Sequence, residues 1–263
     1  MPTIKDITDH LESIAPRHLQ ESYDNAGLIV GYPDREVTGV LTTLDCTETI
    51  VEEALARGCN LIVAHHPIVF RGLKQFNGSD YVQRTVMLAI RHDVAIYAIH
   101  TNLDNVRSRG VNERIAQTLG LENLRLLGPK NDEQTIGSGM VGELPTPLAE
   151  TDFLALLKER LLTGVVKHTE LLGGKVKTVA LCGGAGGFLL GKAKAAGAQV
   201  FVTSDYKYHE FFDAEGEIVI CDVGHYESEQ FTTDLLAELL RERFPTFAVL
   251  STERNTNPVR YYA

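Results

Sequence analysis

Basic residues are in the minority: 25 Lys and Arg face 35 Asp and Glu, a net charge of −10. Extended contact with nucleic acid or anionic lipid would have to recruit many cations against that field, which leaves room for a local basic pocket at most. Long hydrophobic runs are missing too, since none approaches the roughly 20 residues that cross a bilayer. The opening MPTIKDITDHLESIAP does not have the charged-then-apolar layout of a signal peptide, so the expected location is cytoplasmic. Cysteine is sparse. Cys46, Cys59, Cys182 and Cys221 form no C-x-x-C pair, and each sits in or beside an apolar run where a reduced thiol packs as a small hydrophobe, which argues against a disulfide framework or a zinc knuckle.

What is present is a globular composition, 44% hydrophobic and 23% charged, over 263 residues. That length suits two domains of ordinary size, each with its own core, and so permits a cleft between them. Ile4, Ile7, Leu11 and Ile14 fall at helical spacing ahead of Pro16. Short apolar runs then alternate with helical ones. Residues 39–44 and 60–64 read as buried strands, 47–57 as the helix between them ended at Gly58, residues around 81–90 as a second helix and 94–99 as a third strand. Together they predict a parallel α/β sheet.

The second half repeats the plan. A shift of 139 positions aligns VLTTLDCTETIVEEALARGCNLIVAHH from Val40 with VALCGGAGGFLLGKAKAAGAQVFVTSD from Val179 without a gap. Five residues are identical, including the helix-ending Gly58 and Gly197, and apolar positions mostly correspond. Each half then has a strand leading into a spaced pair, His100-x-x-x-Asp104 and His225-x-x-x-Glu229. The expected architecture is therefore two similar, pseudo-symmetric α/β halves, 1–128 and 129–263, whose strand ends meet at one site in the cleft between them. Residues 127–146, rich in Gly, Pro and polar residues, read as the linker. The helix at about 231–243 is expected to pack back on the first half.

Ala64-His65-His66-Pro67 is the sharpest local feature, because ligands bind outside the carboxyl ends of strands in open parallel sheets. Neighbouring strand residues point to opposite faces, so a single ion takes both imidazoles only if the chain bends there. A histidine pair capping a helix or bonded in a turn is the alternative. Asp104, His225 and Glu229 recur at equivalent strand ends, and mixed imidazole and carboxylate donors suit Zn²⁺, Mn²⁺ or Fe²⁺. Five protein ligands are too many for one open catalytic zinc but suit two ions about 3.5–4 Å apart.

Taken together the motifs resemble the family known as GTP cyclohydrolase 1 type 2, or NIF-three-like dinuclear metal proteins. They are Asp24-Asn25-Ala26-Gly27-Leu28, Ala64-His65-His66-Pro67, His100-Thr101-Asn102-Leu103-Asp104, Gly183 to Gly187, Thr203-Ser204-Asp205 with His209, and Gly224-His225-Tyr226-Glu227-Ser228-Glu229. The resemblance implies a NIF-three-like fold, toroidal hexamers, and His65, His66, Asp104, His225 and Glu229 as ligands of two divalent ions, zinc first among them, with Glu229 bridging. It also implies that Asp205 and His209 face the cleft as proton donor or acceptor. Ser204 departs from the glycine common there, and the domain that longer members insert between the halves is missing.

His100 is open to two readings, orienting a ligand or bonding backbone. The glycines at 183–187 could cradle phosphate at a helix start or simply turn the chain. Arg71 and Lys74 could meet an anionic substrate or be solvated surface, and Asp24 and Asn25 could be the mouth of the site or an ordinary turn. A metal pair would supply hydroxide near neutral pH. The implied reaction opens the imidazole ring of GTP to give formate and a dihydroneopterin triphosphate. A phosphoester hydrolase, or a metal-dependent binding or regulatory ring protein without fast turnover, would use the same ligands.

Overall fold

Val40–Thr43, Leu61–Ala64 and Ala95–Ala98 are four-residue strands buried at every position, the pattern of parallel strands covered on both faces. The computed structural model describes residues 1–262 and groups them into two compact units, one of Met1–Leu103 with Thr232–Pro258, the other of Asp104–Phe231 with the residues from Val259 on.

In the first unit the sheet order is Gly27–Val30, Ala95–Ala98, Leu61–Ala64, Val40–Thr43, Val249–Ser251, parallel throughout except for Gly27–Val30. Leu41, Ile62 and Ile96 pack against Ile50, Val51 and Ala54 of helix Glu48–Ala56 and against Val86 and Ala89 of helix Tyr81–Arg91. Alternate residues turn to the opposite face, where Tyr97 Oη donates to Glu12 of helix Ile4–Ile14 and Thr42 Oγ1 donates to the carbonyl of Thr233 in helix Thr232–Arg243.

In the second unit the order is Glu122–Pro129, Gly137–Ala149, Lys175–Leu181, Val200–Thr203, Val219–Asp222, Lys167–His168. Its three inner strands from Lys175 to Asp222 are parallel and its edges antiparallel. Ala180, Phe201 and Ile220 pack with Leu189, Leu190 and Ala193. Each sheet thus has three successive parallel strands with an antiparallel strand beside the third. The other edge differs, being parallel in the first unit and antiparallel in the second.

The aligned glycines do the same work in both units. After helix Glu48–Ala56, Cys59 N donates to Ala54 O with Gly58 at φ +71°, and after helix Leu190–Ala195, Ala198 N donates to Ala193 O with Gly197 at φ +72°. Both helices end in the same left-handed closure, which a side chain would strain.

The segment expected as a linker is a correction. Most of 127–146 lies in an antiparallel pair, Glu122–Pro129 with Gly137–Ala149, which continues the second sheet through Lys175–Leu181. Its glycines serve close approach: a Cβ on Gly137 would stand 2.5 Å from the Gly128 carbonyl oxygen. The chain changes unit after Leu103 and returns at Thr232, because Val249–Ser251 pairs with Val40–Thr43. Among the described residues no helix is long and apolar enough to cross a membrane, and all four cysteines are free and buried.

Candidate metal centre

Strand Leu61–Ala64 delivers His65 and His66 at its carboxyl end, and the ladder continues into them: His65 N donates to Thr43 O (3.1 Å) and His66 N to Leu44 O (2.9 Å). The chain bends after Ala64, so both rings turn to one side with centroids 5.0 Å apart. His65 Nδ1 lies 2.9 Å from the carbonyl oxygen of Ile99. A carbonyl only accepts, so the proton is on Nδ1 and the lone pair of the neutral ring on Nε2. His66 Nδ1 is 2.8 Å from Asp45 Oδ1, and His100 Nδ1 is 2.7 Å from Asp24 Oδ1. His65, His66 and His100 each offer a nitrogen within 4.8 Å of the others. Metal-binding histidines have this arrangement, one nitrogen secured by a carbonyl or carboxylate and the other turned to the ion.

His100 is therefore held by a carboxylate rather than by backbone. Asp24, expected as cleft mouth or turn, is its partner. The Asp24 side chain is fully buried and also accepts from Thr101 N, Thr101 Oγ1 and Asn25 N. Burial alone would raise its pKa, but the bonds from His100 and Thr101 outweigh it and bring the carboxyl down to about 2. A carboxyl depressed from its ordinary 3.8 adds stability that is complete above the unfolded value and lost as the pH falls through it toward 2. That contribution is on the order of 2 kcal/mol. Urea unfolding at pH 5.5 and pH 2.5 is expected to show this loss in the wild type and not in Asp24→Asn; equal losses in both would remove Asp24 as its source.

In the second unit strand Val219–Asp222 leads through Gly224 into the short helix His225–Glu229. The i, i+4 spacing stacks His225 on Glu229, with His225 Nε2 3.0 Å from Glu229 Oε2, while His225 Nδ1 is 2.8 Å from Asp205 Oδ2. Glu229 is 4% exposed, and it has a carboxylate oxygen within 4.8 Å of one on Asp104. Burial disfavours the imidazolium of His225, but the bonds and charges of Asp205 and Glu229 override it and carry the pKa up to about 11. The His225 bond in turn holds Asp205 below the usual carboxylate range. Two carboxylates around an imidazole make a place for positive charge, which fits a divalent cation. Cys182, near Asp104 and Glu229, has its thiol pushed up by burial and then by those charges.

The remaining expectations separate clearly. The glycine loop does not present an open row of amides: Gly183 N donates to Asn112 Oδ1, Gly184 N to Ser228 Oγ and Gly186 N to Thr203 Oγ1. Its role is instead to let chain pass beside Glu229. Asp205 is engaged by His225, whereas His209 is exposed on the 3-10 turn Tyr208–Ala214 and stacks on Phe212. Arg71 and Lys74 are exposed.

Three supporting residues escaped sequence reasoning. Asp45 holds His66; Ile99 holds His65 through backbone and so has no side-chain signature; Asn112 bridges the Asp104 carbonyl and the Gly183 amide with its two amide ends. Only Asp45 carried a signal, a carboxylate at the end of the neighbouring strand.

A family model for Duf34/NIF3 (NGG1p interacting factor 3) matches residues 2–258. Among curated proteins, a Clostridium perfringens protein named GTP cyclohydrolase 1 type 2 homolog is 32% identical over 241 residues, 91% of this chain and 92% of its own. A protein of the same name from Streptomyces coelicolor is 33% identical over 249 residues, 92% and 87% of the two chains. Among solved structures, a Bacillus cereus protein related to NIF3 superposes with a TM-score of 0.94 at 25% identity, covering 100% and 99% of the two chains. The Staphylococcus aureus hypothetical protein SA1388 does so with a TM-score of 0.92 at 31% identity and 99% of each.

Proposed function

Since the chain belongs to the Duf34/NIF3 family, we propose that it is a divalent-metal-dependent hydrolase acting on a nucleotide, with ring opening of GTP to formate and dihydroneopterin triphosphate as the reaction. His65 and His66 of the first unit and Asp104, His225 and Glu229 of the second are its metal ligands, enough for two ions per chain, with zinc preferred over manganese or iron. The name shared by the relatives supports the substrate. The observation that carries the metal is the state of the rings: His65 and His66 have Nδ1 bonded to a carbonyl or carboxylate, which makes Nε2 the donor, and His225 has Nδ1 on Asp205 and Nε2 on Glu229, where an ion would take the place of the proton. Bound ions supply Lewis acidity and lower the pKa of coordinated water.

The chain's own residues do the rest. Asp205 keeps His225 turned to its task, and His209 is the proton carrier of this proposal. The cytoplasm is the proposed compartment and a homo-oligomer, a hexamer by family resemblance, the proposed assembly.

The test is incubation of metal-loaded protein with GTP and with generic phosphoesters, alongside His66→Ala. Formate release from GTP that is lost in the variant supports the reading. Turnover of phosphoesters alone moves the substrate to that class, and metal-dependent GTP binding without turnover makes the protein a binder. No metal uptake in the wild type sinks it.

A further inference from the structure

We propose that Asp45 and Asp205 are positioning residues for metal binding, each holding one imidazole, of His66 and His225 respectively, as the Nδ1–H tautomer so that Nε2 is presented to an ion. The inference rests on the metal reading above and extends it to residues outside the donor set.

The same device is built twice on different sequence. Asp45 lies just past strand Val40–Thr43, which is the parallel neighbour of the strand that ends in His66. Asp205 lies just past strand Val200–Thr203, the parallel neighbour of the strand that leads to His225. The duplication places His66, not Asp45, opposite Asp205, so the two pairs are not a simple copy. What they share is geometry: a carboxylate from one strand end reaches the imidazole of the next at 2.8 Å in both cases.

Asp45 is held through its carboxylate, and Asp205, whose side chain is half exposed, through its backbone. Asp45 Oδ2 accepts from Thr256 Oγ1 at 2.7 Å while Oδ1 faces His66, and the Asp45 carbonyl accepts from Thr43 Oγ1 at 2.9 Å. Both oxygens and the backbone are thereby fixed. Asp205 sits at φ +58°, a left-handed conformation that side-chain-bearing residues rarely adopt. Its neighbours hold it there, since Ser204 N donates to Gly184 O at 3.0 Å and Tyr206 N to Asp222 Oδ2 at 3.1 Å. Strain kept in place by anchored flanks is characteristic of residues whose side chain must point one way. His225 Nε2 faces Glu229 Oε2 at 3.0 Å, so an ion bound there would displace that proton and leave a neutral ring. A neutral imidazole has two tautomers, and an ionised carboxylate accepts only from the one with its proton on the facing nitrogen. Removing such a partner typically lowers metal affinity about 10- to 100-fold.

The experiment uses the full chain as wild type, Asp45→Ala, Asp45→Asn, Asp205→Ala and Asp205→Asn. Zn²⁺ affinity is measured by competition with a chromogenic chelator, and histidine tautomers by long-range ¹⁵N–¹H NMR of the zinc-loaded wild type. The expected result is Nδ1–H with Nε2 on zinc for His66 and His225, a loss of about 10- to 100-fold in the alanine variants, and substantial rescue by asparagine, whose oxygen can still accept. Wild-type rings coordinated through Nδ1, or alanine variants that bind zinc as tightly as wild type, overturn the inference while leaving the metal reading intact. A wild type that takes up no zinc overturns both. The tautomer measurement needs no variant, so a substitution that fails to fold does not spare the proposal.

Discussion

Glu229→Gln is expected to bring metal content below that of the wild type, for which two ions per chain are proposed, and to cut metal-dependent turnover by on the order of 10³-fold. Glutamine keeps the volume of the buried side chain but removes its charge and one acceptor oxygen, at the residue around which Asp104 and His225 gather in the second unit. Elemental analysis of the purified variant, beside its rate with GTP, checks this; undiminished metal content would take Glu229 out of the ligand set. The same residues give metal uptake a pH dependence with a definite sign. His225 has a pKa raised to about 11 by its two carboxylates, so at neutral pH the metal-free ring is protonated, and an ion must displace that proton. Affinity is therefore expected to rise about tenfold per pH unit between pH 6 and 9, with one proton released from His225 per ion bound there. Isothermal titration in buffers of different ionisation enthalpy counts that proton; a flat pH profile would contradict it.

The second large effect is expected from Gly184→Ala. Gly184 has φ +60°, and a Cβ there would stand 2.6 Å from Glu229 Oε1 and 3.3 Å from His225 Cε1. The added methyl meets two costs, a left-handed backbone and a displaced carboxylate in a buried setting, together about 2–4 kcal/mol. Chemical denaturation is expected to show that loss, and metal analysis to show depletion in the fraction that remains folded. Gly191→Ala is the control, since nothing lies within 4 Å of a Cβ at Gly191. A Gly184 variant as stable and as well loaded as this control would mean that Glu229 has room to move, and that the loop does not set its position.

Much of this molecule was legible before folding. Buried parallel strands are continuous apolar runs and the helices between them are periodic, so both βαβ units and the copied helix-ending glycines could be read by inspection. The hairpin at Glu122–Pro129 and Gly137–Ala149 could not, because glycines that allow close strand approach have the same composition as glycines that loosen a linker. Donor types at strand ends were also legible, since only His, Asp and Glu offer that chemistry. Their supports were not. Asp45 is 21 residues from His66, Asp24 is 76 from His100 and Asp205 is 20 from His225, and no local pattern couples residues so far apart.

The sequence by itself determined the α/β class, the duplication and the kind of donor at each strand end, because burial periodicity and side-chain chemistry are properties of short stretches. Only the tertiary structure decided which partner each imidazole nitrogen meets, that the amides of Gly183, Gly184 and Gly186 are already bonded within the protein, and that the C-terminal strand completes the first sheet. Those are matters of which groups meet within about 3 Å, a distance over which hydrogen bonds form or fail, and chain order does not contain it.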